Sequence, residues 1–205
     1  KGLFLGTSRR MHPDVCSFIS ESIYDGRLRA YAYCERQRIE LAEPGRVRVR
    51  AGIQFSPVEH EGNVLRSDEE ASRVLEVYEE LRGRPFTDSD GVTRPLGLDD
   101  FLFIAPYNAQ VRALREALPE GAKVGSVDRF QGQEAPVCVL SLCSSAGEYG
   151  SRGLGFILDR NRVNVAISRA KCLAVVVADP RIADTLPASI DEMRLLNLFC
   201  RAVGA

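Results

Sequence analysis

Short runs of consecutive apolar residues alternate along the chain with segments in which apolar residues recur at every third or fourth position. Such short runs are typical of strands buried on both faces of a parallel sheet. They occupy residues 3–7, 53–58, 101–105, 124–127, 137–142 and 173–178. The wider spacing predicts amphipathic helices between these strands. The alternation of strands with helices predicts an α/β fold, doubly wound around a mainly parallel sheet with helices on both faces.

The segments between these elements define the organisation of the chain. Its 205 residues fit a single domain. Residues 27–66 contain many arginines in an irregular pattern, so we expect an insertion or an edge segment of the sheet there. Residues 84–100 have the composition of a loop, and the apolar spacing in residues 185–205 predicts a C-terminal helix.

Residues 159–171 predict a helix with one apolar and one basic face. Asp159 stands at the position of an N-cap, before the apolar residues begin. The apolar stripe at helical spacing consists of Val163, Ala166, Ile167 and Ala170. Arg162 and Arg169 are seven residues apart, which places both on one line along a helix. Such a pair is typical either of a solvated basic face or of a surface that binds anions.

Composition and charge exclude several classes of protein. With 45% apolar residues the chain can build a core, and its net charge of −1 excludes a polycation that binds nucleic acid by charge alone. No run approaches the roughly 18 apolar residues of a membrane span, and no signal peptide opens the chain, so we expect a cytoplasmic protein. Two histidines, and six cysteines without C-x-x-C spacing, predict no metal site.

Four polar loops follow predicted strands, at residues 8–13, 106–110, 126–134 and the turn into 159–171. Doubly wound sheets bind their ligands at the carboxyl ends of strands, so we expect these loops to form the site there. In the third loop, Gly132 allows a close approach of the backbone to a ligand.

The four loops carry motifs in a fixed order: Arg-Met-His-Pro at 10–13, Ala-Pro-Tyr-Asn-Ala-Gln at 105–110, Val-Asp-Arg-Phe-Gln-Gly-Gln-Glu at 127–134 and Asn-Arg-Val-Asn-Val-Ala-Ile-Ser-Arg-Ala-Lys at 161–171. Together they resemble the second RecA-like domain of superfamily 1 helicases, in the branch of the RNA-surveillance helicases and the replication nuclease-helicases. The helix that begins Ser-Asp-Glu-Glu-Ala at 67–71 also resembles bacterial proteins that fuse a RecB-like nuclease to such a helicase. The resemblance implies one RecA-like domain over residues 1–205.

The resemblance assigns nucleotide contacts to two of the motifs. Arg10 matches an arginine that reaches the γ-phosphate of ATP, and Arg169 matches the arginine finger. Glu134 matches a residue that contacts the nucleotide at its ribose, and Gln131 and Gly132 belong to the same turn. These assignments make Arg10 and Arg169 the candidate catalytic residues.

Further positions match less specific roles. Arg9 stands where relatives carry an aromatic residue that stacks on adenine, so its guanidinium group would stack in its place. Arg162 matches a position that orients the loop or meets phosphate, with a structural salt bridge as the alternative. The positions that match contacts to the nucleic-acid backbone are Ser126, Tyr107, Asn108 and Gln110. For each of these, a capping or packing role is the alternative.

The resemblance implies that the chain is one of the two motor domains of a helicase. The chain has no G-x-x-x-x-G-K-[ST] loop and no acidic Mg²⁺-binding motif, so we expect an N-terminal RecA-like domain of the same parent protein to supply Mg²⁺ and most contacts to ATP. The expected partners are this domain, single-stranded DNA or RNA, and a fused nuclease domain of a bacterial parent protein. We expect the chain alone to be inactive. The alternative is a binding module that keeps the fold without hydrolysis.

Overall fold

The computed structural model describes residues 4–150 and 153–204, and five parallel strands form the central sheet in these residues. The order across the sheet is β4-β10-β9-β7-β8. The bounds of these strands are β4 Gly52–Pro57, β7 Phe101–Ile104, β8 Val124–Gly125, β9 Ala135–Ser141 and β10 Ala170–Ala178. Every residue of β9 is buried, as expected of a central strand that is covered on both faces.

Helices cover both faces of this sheet. They are α1 Pro13–Ile23, α2 Asp68–Leu81, α3 Asn108–Ala117, α4 Leu154–Ile157, α5 Arg160–Ile167 and α6 Ile190–Val203. Alternate residues of β7 enter different cores: Leu102 packs with α1, α4, α5 and α6, whereas Phe103 packs with α2 and α3. The doubly wound, RecA-like α/β fold predicted from the sequence is therefore confirmed. In the part of the chain that the structure describes, no helix combines the length and apolar character needed to cross a membrane.

The predicted helix starts are confirmed, and one predicted helix end is wrong. The side chains of Ser67 and Asp159 cap α2 and α5 by accepting hydrogen bonds from backbone N–H groups at 3.0 and 2.9 Å. However, α5 ends at Ile167, and Ala170 begins β10, where it pairs with Ala135. Arg169 therefore lies in the turn between helix and strand, so it does not share a helical line with Arg162.

Residues 84–100 were expected to be a loop, and they hold a β-hairpin. β5 (Pro85–Thr87) and β6 (Thr93–Pro95) pair antiparallel, and β3 (Arg38–Ile39) completes a three-stranded sheet. The carboxylate of Asp88 accepts hydrogen bonds from the N–H groups of Asp90 and Val92, at 2.9 and 3.0 Å. The polar composition that suggested a loop is thus the chemistry of the hairpin turn.

Residues 27–66 contain three strands, each at the edge of a sheet. They hold β4 at the edge of the central sheet, β3, and β2 (Arg29–Ala30), which pairs with β1 (Thr7–Ser8) in a small parallel sheet. Residue 3 of the strand predicted at 3–7 and residue 205 of the predicted C-terminal helix lie outside the described residues.

Candidate functional site

Two of the residues that the sequence singled out as nucleotide contacts lie at the amino ends of β9 and β10. Glu134 directly precedes β9, and Arg169 directly precedes β10. The N–H of Ala135 donates a hydrogen bond to the carbonyl of Arg169 at 3.0 Å, so the two segments run side by side. The prediction that these residues lie at the carboxyl ends of strands is wrong. Because β8 and β9 run parallel, the loop 126–134 runs from the carboxyl end of β8 to the amino end of β9, and it places Glu134 at that amino end.

Arg10 reaches this edge from the loop between β1 and α1, and we call Arg10, Glu134, Arg169 and Lys171 the charged cluster. One carboxylate oxygen of Glu134 pairs with Nε of Arg10, and the other lies 2.8 Å from Nζ of Lys171. A terminal nitrogen of Arg10 donates to the carbonyl of Ser168 at 3.3 Å. The side chains of Arg10 and Glu134 are 35% and 37% exposed, so solvent reaches both side chains, although Nε of Arg10 is itself buried.

Arg169 is held by carbonyl groups. Its Nε donates to the carbonyl of Val165 at 3.1 Å, and a terminal nitrogen donates to the carbonyl of Gln133 at 3.3 Å. Among the described residues, no carboxylate forms an ion pair with it. Arg10 lies beside Arg169, because it donates to the carbonyl of Ser168, the residue that precedes Arg169. Burial and then the positive charge of Arg10 lower the pKa of Arg169. The cluster therefore offers two converging cations to an anion.

Glu134 is the only carboxylate in the charged cluster, and it stays ionised. Burial acts to raise its pKa, but the hydrogen bond from Lys171 and the charge of Arg10 outweigh burial and lower the pKa below its ordinary value. At neutral pH this side chain is a hydrogen-bond acceptor only. It can accept hydrogen bonds from hydroxyl groups such as those of a sugar.

Three other predicted nucleotide contacts lie on exposed backbone near the charged cluster. Gln131 and Gly132 form the turn that leads to Glu134, and Gly132 has φ +84°, a conformation that favours glycine. The guanidinium carbon of Arg9 lies 5.0 Å from the centre of the Tyr31 ring, so an aromatic ring covers one face of this group. Their roles toward a nucleotide remain predictions.

A groove of about 440 Å³ lies at the other edge of the sheet, where β7 and β8 end. It contains three of the four positions predicted to contact nucleic acid: Tyr107 and Asn108 follow β7, and Ser126 follows β8. The remaining lining residues are Leu65, Pro106, Asp128, Phe156 and Arg162. The sequence thus predicted residues that share a surface, although the groove lies apart from the charged cluster.

Arg162 lies in this groove rather than in the charged cluster, in contrast to its predicted place at the nucleotide. Its guanidinium carbon lies 4.0 Å from the centre of the Phe156 ring, and Phe156 stacks on Tyr107 with ring centres 5.0 Å apart. The reason is the position of Arg162 in the first turn of α5, whereas Arg169 follows the opposite end of that helix. Within the described residues no carboxylate pairs with Arg162, so the alternative of a structural salt bridge is not observed.

Gln110 does not contribute to the groove, so its prediction as a nucleic-acid contact is wrong. Its side chain is completely buried. The amide oxygen accepts a hydrogen bond from the N–H of Ser67 at 2.7 Å, and the amide nitrogen donates to the carbonyl of Ser67 and to Oγ of Ser141 at 3.0 and 2.9 Å. Gln110 therefore ties α3 to the start of α2.

Gln110 adjoins a buried polar network that the sequence did not reveal, formed by His60, Glu70, Ser141 and Ser145. Nε2 of His60 lies 2.9 Å from one carboxylate oxygen of Glu70, and its Nδ1 lies 2.8 Å from Oγ of Ser145. The hydroxyl of Ser141 donates to the other carboxylate oxygen of Glu70 at 2.6 Å. No local pattern in the sequence indicates this network, because the partners of these residues are distant along the chain.

The connectivity Ser145–His60–Glu70 is that of a hydrolase triad, but the network cannot act as one. The side chains of His60 and Glu70 are 0% exposed, so a substrate has no access to them. Burial raises the pKa of Glu70, whereas the hydrogen bond and charge of Glu70 outweigh burial at His60 and raise the pKa of its ring. The network is a structural link between α2, β9 and the segment that carries His60.

The comparisons with known proteins agree with the resemblance seen in the motifs. A family described as "AAA domain" matches residues 1–181. The mouse protein named 3'-5' exoribonuclease HELZ2 is 29% identical over 223 residues, which cover 98% of this chain and 7% of that protein. The Regulator of nonsense transcripts 1 homolog of Arabidopsis thaliana is 29% identical over 193 residues, which cover 91% of this chain and 15% of that protein.

A third relative carries a helicase name. The DNA polymerase alpha-associated DNA helicase A of Schizosaccharomyces pombe is 28% identical over 195 residues, which cover 86% of this chain and 28% of that protein. The chain thus spans from 7% to 28% of the length of these three relatives, all of them eukaryotic. Since the family match covers most of its length, the chain belongs to the AAA domain family, and its similarity to a protein named as a DNA helicase agrees with the predicted superfamily 1 helicase domain.

Proposed function

We propose that this chain is the second motor domain of an ATP-dependent nucleic-acid helicase or translocase. The observation that carries the proposal is the convergence of Arg10 and Arg169, 159 positions apart in the sequence (169 minus 10), beside Glu134 at one open edge of the sheet. Two cations that repel each other and face solvent are an arrangement that gains free energy when a polyanion binds.

The chemistry of phosphoryl transfer accounts for this residue set. Negative charge spreads over the γ-phosphoryl oxygens in the transition state, and planar guanidinium groups can bind two such oxygens at once. Arg169 is held by two carbonyl groups rather than by a carboxylate, so its charge is available to the phosphate. Arg10 exchanges Glu134 for phosphate, and Glu134 then accepts hydrogen bonds from the ribose.

The remaining parts of the ATP site come from a partner domain in this proposal. The residues of the charged cluster fit a triphosphate, but they include no set of Mg²⁺ ligands, and residues 4–150 and 153–204 contain no group of three or more His, Cys, Asp or Glu side chains suited to a metal ion. We propose that an N-terminal RecA-like domain of the same parent protein holds Mg²⁺ and most of ATP. A nuclease domain in that parent protein is a further part of the proposal.

The groove is the proposed path of a single strand of DNA or RNA. Asn108 and Ser126 offer neutral hydrogen-bond donors to the sugar–phosphate backbone, and Arg162 offers one charge that no carboxylate among the described residues neutralises. α5 joins the two regions, since its first turn carries Arg162 and its carboxyl end leads to Arg169. A movement of α5 would therefore change the positions of residues both in the groove and in the charged cluster.

The alternative is a module that binds nucleic acid or a partner without hydrolysis. The test uses the parent protein with both motor domains and measures ATP turnover with and without a single strand. The exchange Arg169→Ala should lower turnover by about 10³–10⁵-fold and leave the affinity for a fluorescent oligonucleotide intact.

The matched control is Arg82→Ala, which removes an exposed arginine that pairs with Glu79 at 2.6 Å and belongs neither to the groove lining nor to the charged cluster. It should leave turnover unchanged. Near-normal turnover in the Arg169→Ala protein would reject the role of Arg169 as an arginine finger. A wild-type parent protein that binds the strand but hydrolyses no ATP would favour the non-hydrolysing module.

A further inference from the structure

Lys171 is the one member of the charged cluster to which the motifs assign no role. It is the second residue of β10, and its carbonyl accepts a hydrogen bond from the N–H of His12 at 2.7 Å. Its neighbours Ala170 and Cys172 are buried, whereas the side chain of Lys171 is 36% exposed, at an irregularity of the ladder between Ala170 and Leu173. The backbone of Lys171 is therefore fixed both to the central sheet and to the loop that carries Arg10.

The two cations that hold Glu134 do so in different ways. Nζ of Lys171 lies at a hydrogen-bonding distance of 2.8 Å from the carboxylate. Nε of Arg10 lies against the other oxygen but makes no well-directed hydrogen bond, and Arg10 belongs to a loop rather than to a strand. Of the two contacts, the one from Lys171 is the better directed and the better anchored.

We propose that Lys171 is a positioning residue, which holds the Glu134 carboxylate in place while Arg10 leaves it to bind a triphosphate. This inference rests on the proposed function, because it assigns a part to Lys171 in the same ATP site. Without Lys171, Glu134 would keep Arg10 as its only ion-pair partner among the described residues. The carboxylate would then turn away from the ribose when Arg10 leaves.

The first experiment measures the pKa of the Glu134 carboxyl by NMR titration of the 205-residue chain. The variants are Lys171→Met, Lys171→Arg and Arg10→Gln. Lys171→Met should raise this pKa toward the ordinary value of about 4.3, whereas Lys171→Arg should keep it low. Arg10→Gln should raise it less than Lys171→Met does. A larger rise in the Arg10→Gln chain, or no rise in the Lys171→Met chain, would overturn the proposal.

The matched control is Lys123→Met. Lys123 is paired with Asp99 at 3.0 Å, outside the charged cluster, so this exchange should leave the pKa of Glu134 unchanged. The NMR result does not depend on ATP hydrolysis. It therefore still tests the link between Lys171 and Glu134 if the proposed function fails.

The second experiment measures ATP turnover in the parent protein with both motor domains. Because Lys171 acts through a contact to the ribose, Lys171→Met should raise KM about two- to fivefold and change kcat by less than about twofold. Lys171→Arg should restore KM. A fall in kcat as large as that expected for Arg169→Ala, with KM unchanged, would show that Lys171 acts on the phosphate directly and would reject the positioning role.

Discussion

Two glutamates at opposite edges of one sheet show how exposure decides what an ion pair can do. Glu134 at the amino edge lies between two cations, and its side chain is 37% exposed. Glu70 at the carboxyl edge pairs with His60, and both of these side chains are 0% exposed. Each glutamate joins segments that are distant in sequence. Only the exposed one can exchange a partner for a ligand, because the groups around the buried one have no access to solvent.

The buried polar network is saturated as well as inaccessible. The carboxylate of Glu70 accepts hydrogen bonds from the hydroxyl of Ser141 and the N–H of Cys143, at 2.6 and 2.9 Å, in addition to its contact with His60. The charged cluster has three cations for one carboxylate, so its net charge is positive. The first arrangement stabilises a fold, and the second is suited to binding an anion.

The largest effect that tests this contrast is the exchange Glu70→Ala. It leaves His60, the Ser141 hydroxyl and the Cys143 N–H buried without their acceptor, so the free energy of unfolding should fall by about 3–5 kcal/mol. Urea denaturation of the 205-residue chain measures this change. A loss below about 1 kcal/mol would mean that the network does not support the fold.

The second prediction concerns the charged cluster, and its effect should appear in ATP turnover rather than in stability. Arg10→Gln in the parent protein should lower ATP turnover by about 10²–10³-fold, because one cation is removed from the transition state. The thermal midpoint should hardly change, since the ion pair of Arg10 is exposed. An Arg10→Gln protein that loses stability but keeps its ATP turnover would mean that the charged cluster supports the fold rather than ATP hydrolysis.

Local sequence patterns predicted which segments form helices and strands. Where a helix or strand ends depends on pairing with segments that are distant in sequence. The cap at Asp159 depends on a backbone N–H only three positions away, so the sequence predicted it. The end of α5 does not follow from local periodicity. Ala170 fits the helical stripe, but its partner in the sheet, Ala135, draws it into β10. The hairpin within residues 84–100 was missed because its turn residues were interpreted as a loop.

The candidate site was predictable where motifs specify it and not where packing does. The convergence of Arg10, Arg169 and Glu134 follows from the order of the motifs, although their roles remain predictions. The burial of Gln110 depends on its contact with Ser67, 43 positions away, which no local pattern reveals. The same holds for His60 and Ser145, which are 85 positions apart.

The pH dependence of stability offers a smaller effect that isolates the buried region. Glu70, with help from Asp179 and Glu69, raises the pKa of His60 above its ordinary value of about 6.5, against the effect of burial. The folded chain therefore binds its proton more tightly than the unfolded chain. This stabilisation is complete below about pH 6.5 and is lost as the pH rises through the raised pKa.

Urea denaturation should thus show a loss in the free energy of unfolding as the pH rises above about 6.5. In the Glu70→Gln chain the carboxylate that raises the pKa of His60 is absent, so most of this slope should disappear. Five buried cysteines ionise only at higher pH, because burial raises the pKa of their thiols, and the titration range stays below that region. An unchanged slope in the Glu70→Gln chain would assign the pH dependence to other groups.

The smallest expected effect is the matched exchange at the other glutamate, Glu134→Gln. Its ion pairs with Arg10 and Lys171 are roughly one-third exposed, so the loss in the free energy of unfolding should stay within about 1 kcal/mol and should shrink as salt is added. The same chemical change at Glu70 should cost more and should be insensitive to salt, because the buried pair is not screened. Urea denaturation of both variants at low and high salt measures the difference. Equal losses with equal salt dependence would mean that exposure does not separate the two glutamates, and the charged cluster would then be a part of the fold rather than a surface kept open for an anion.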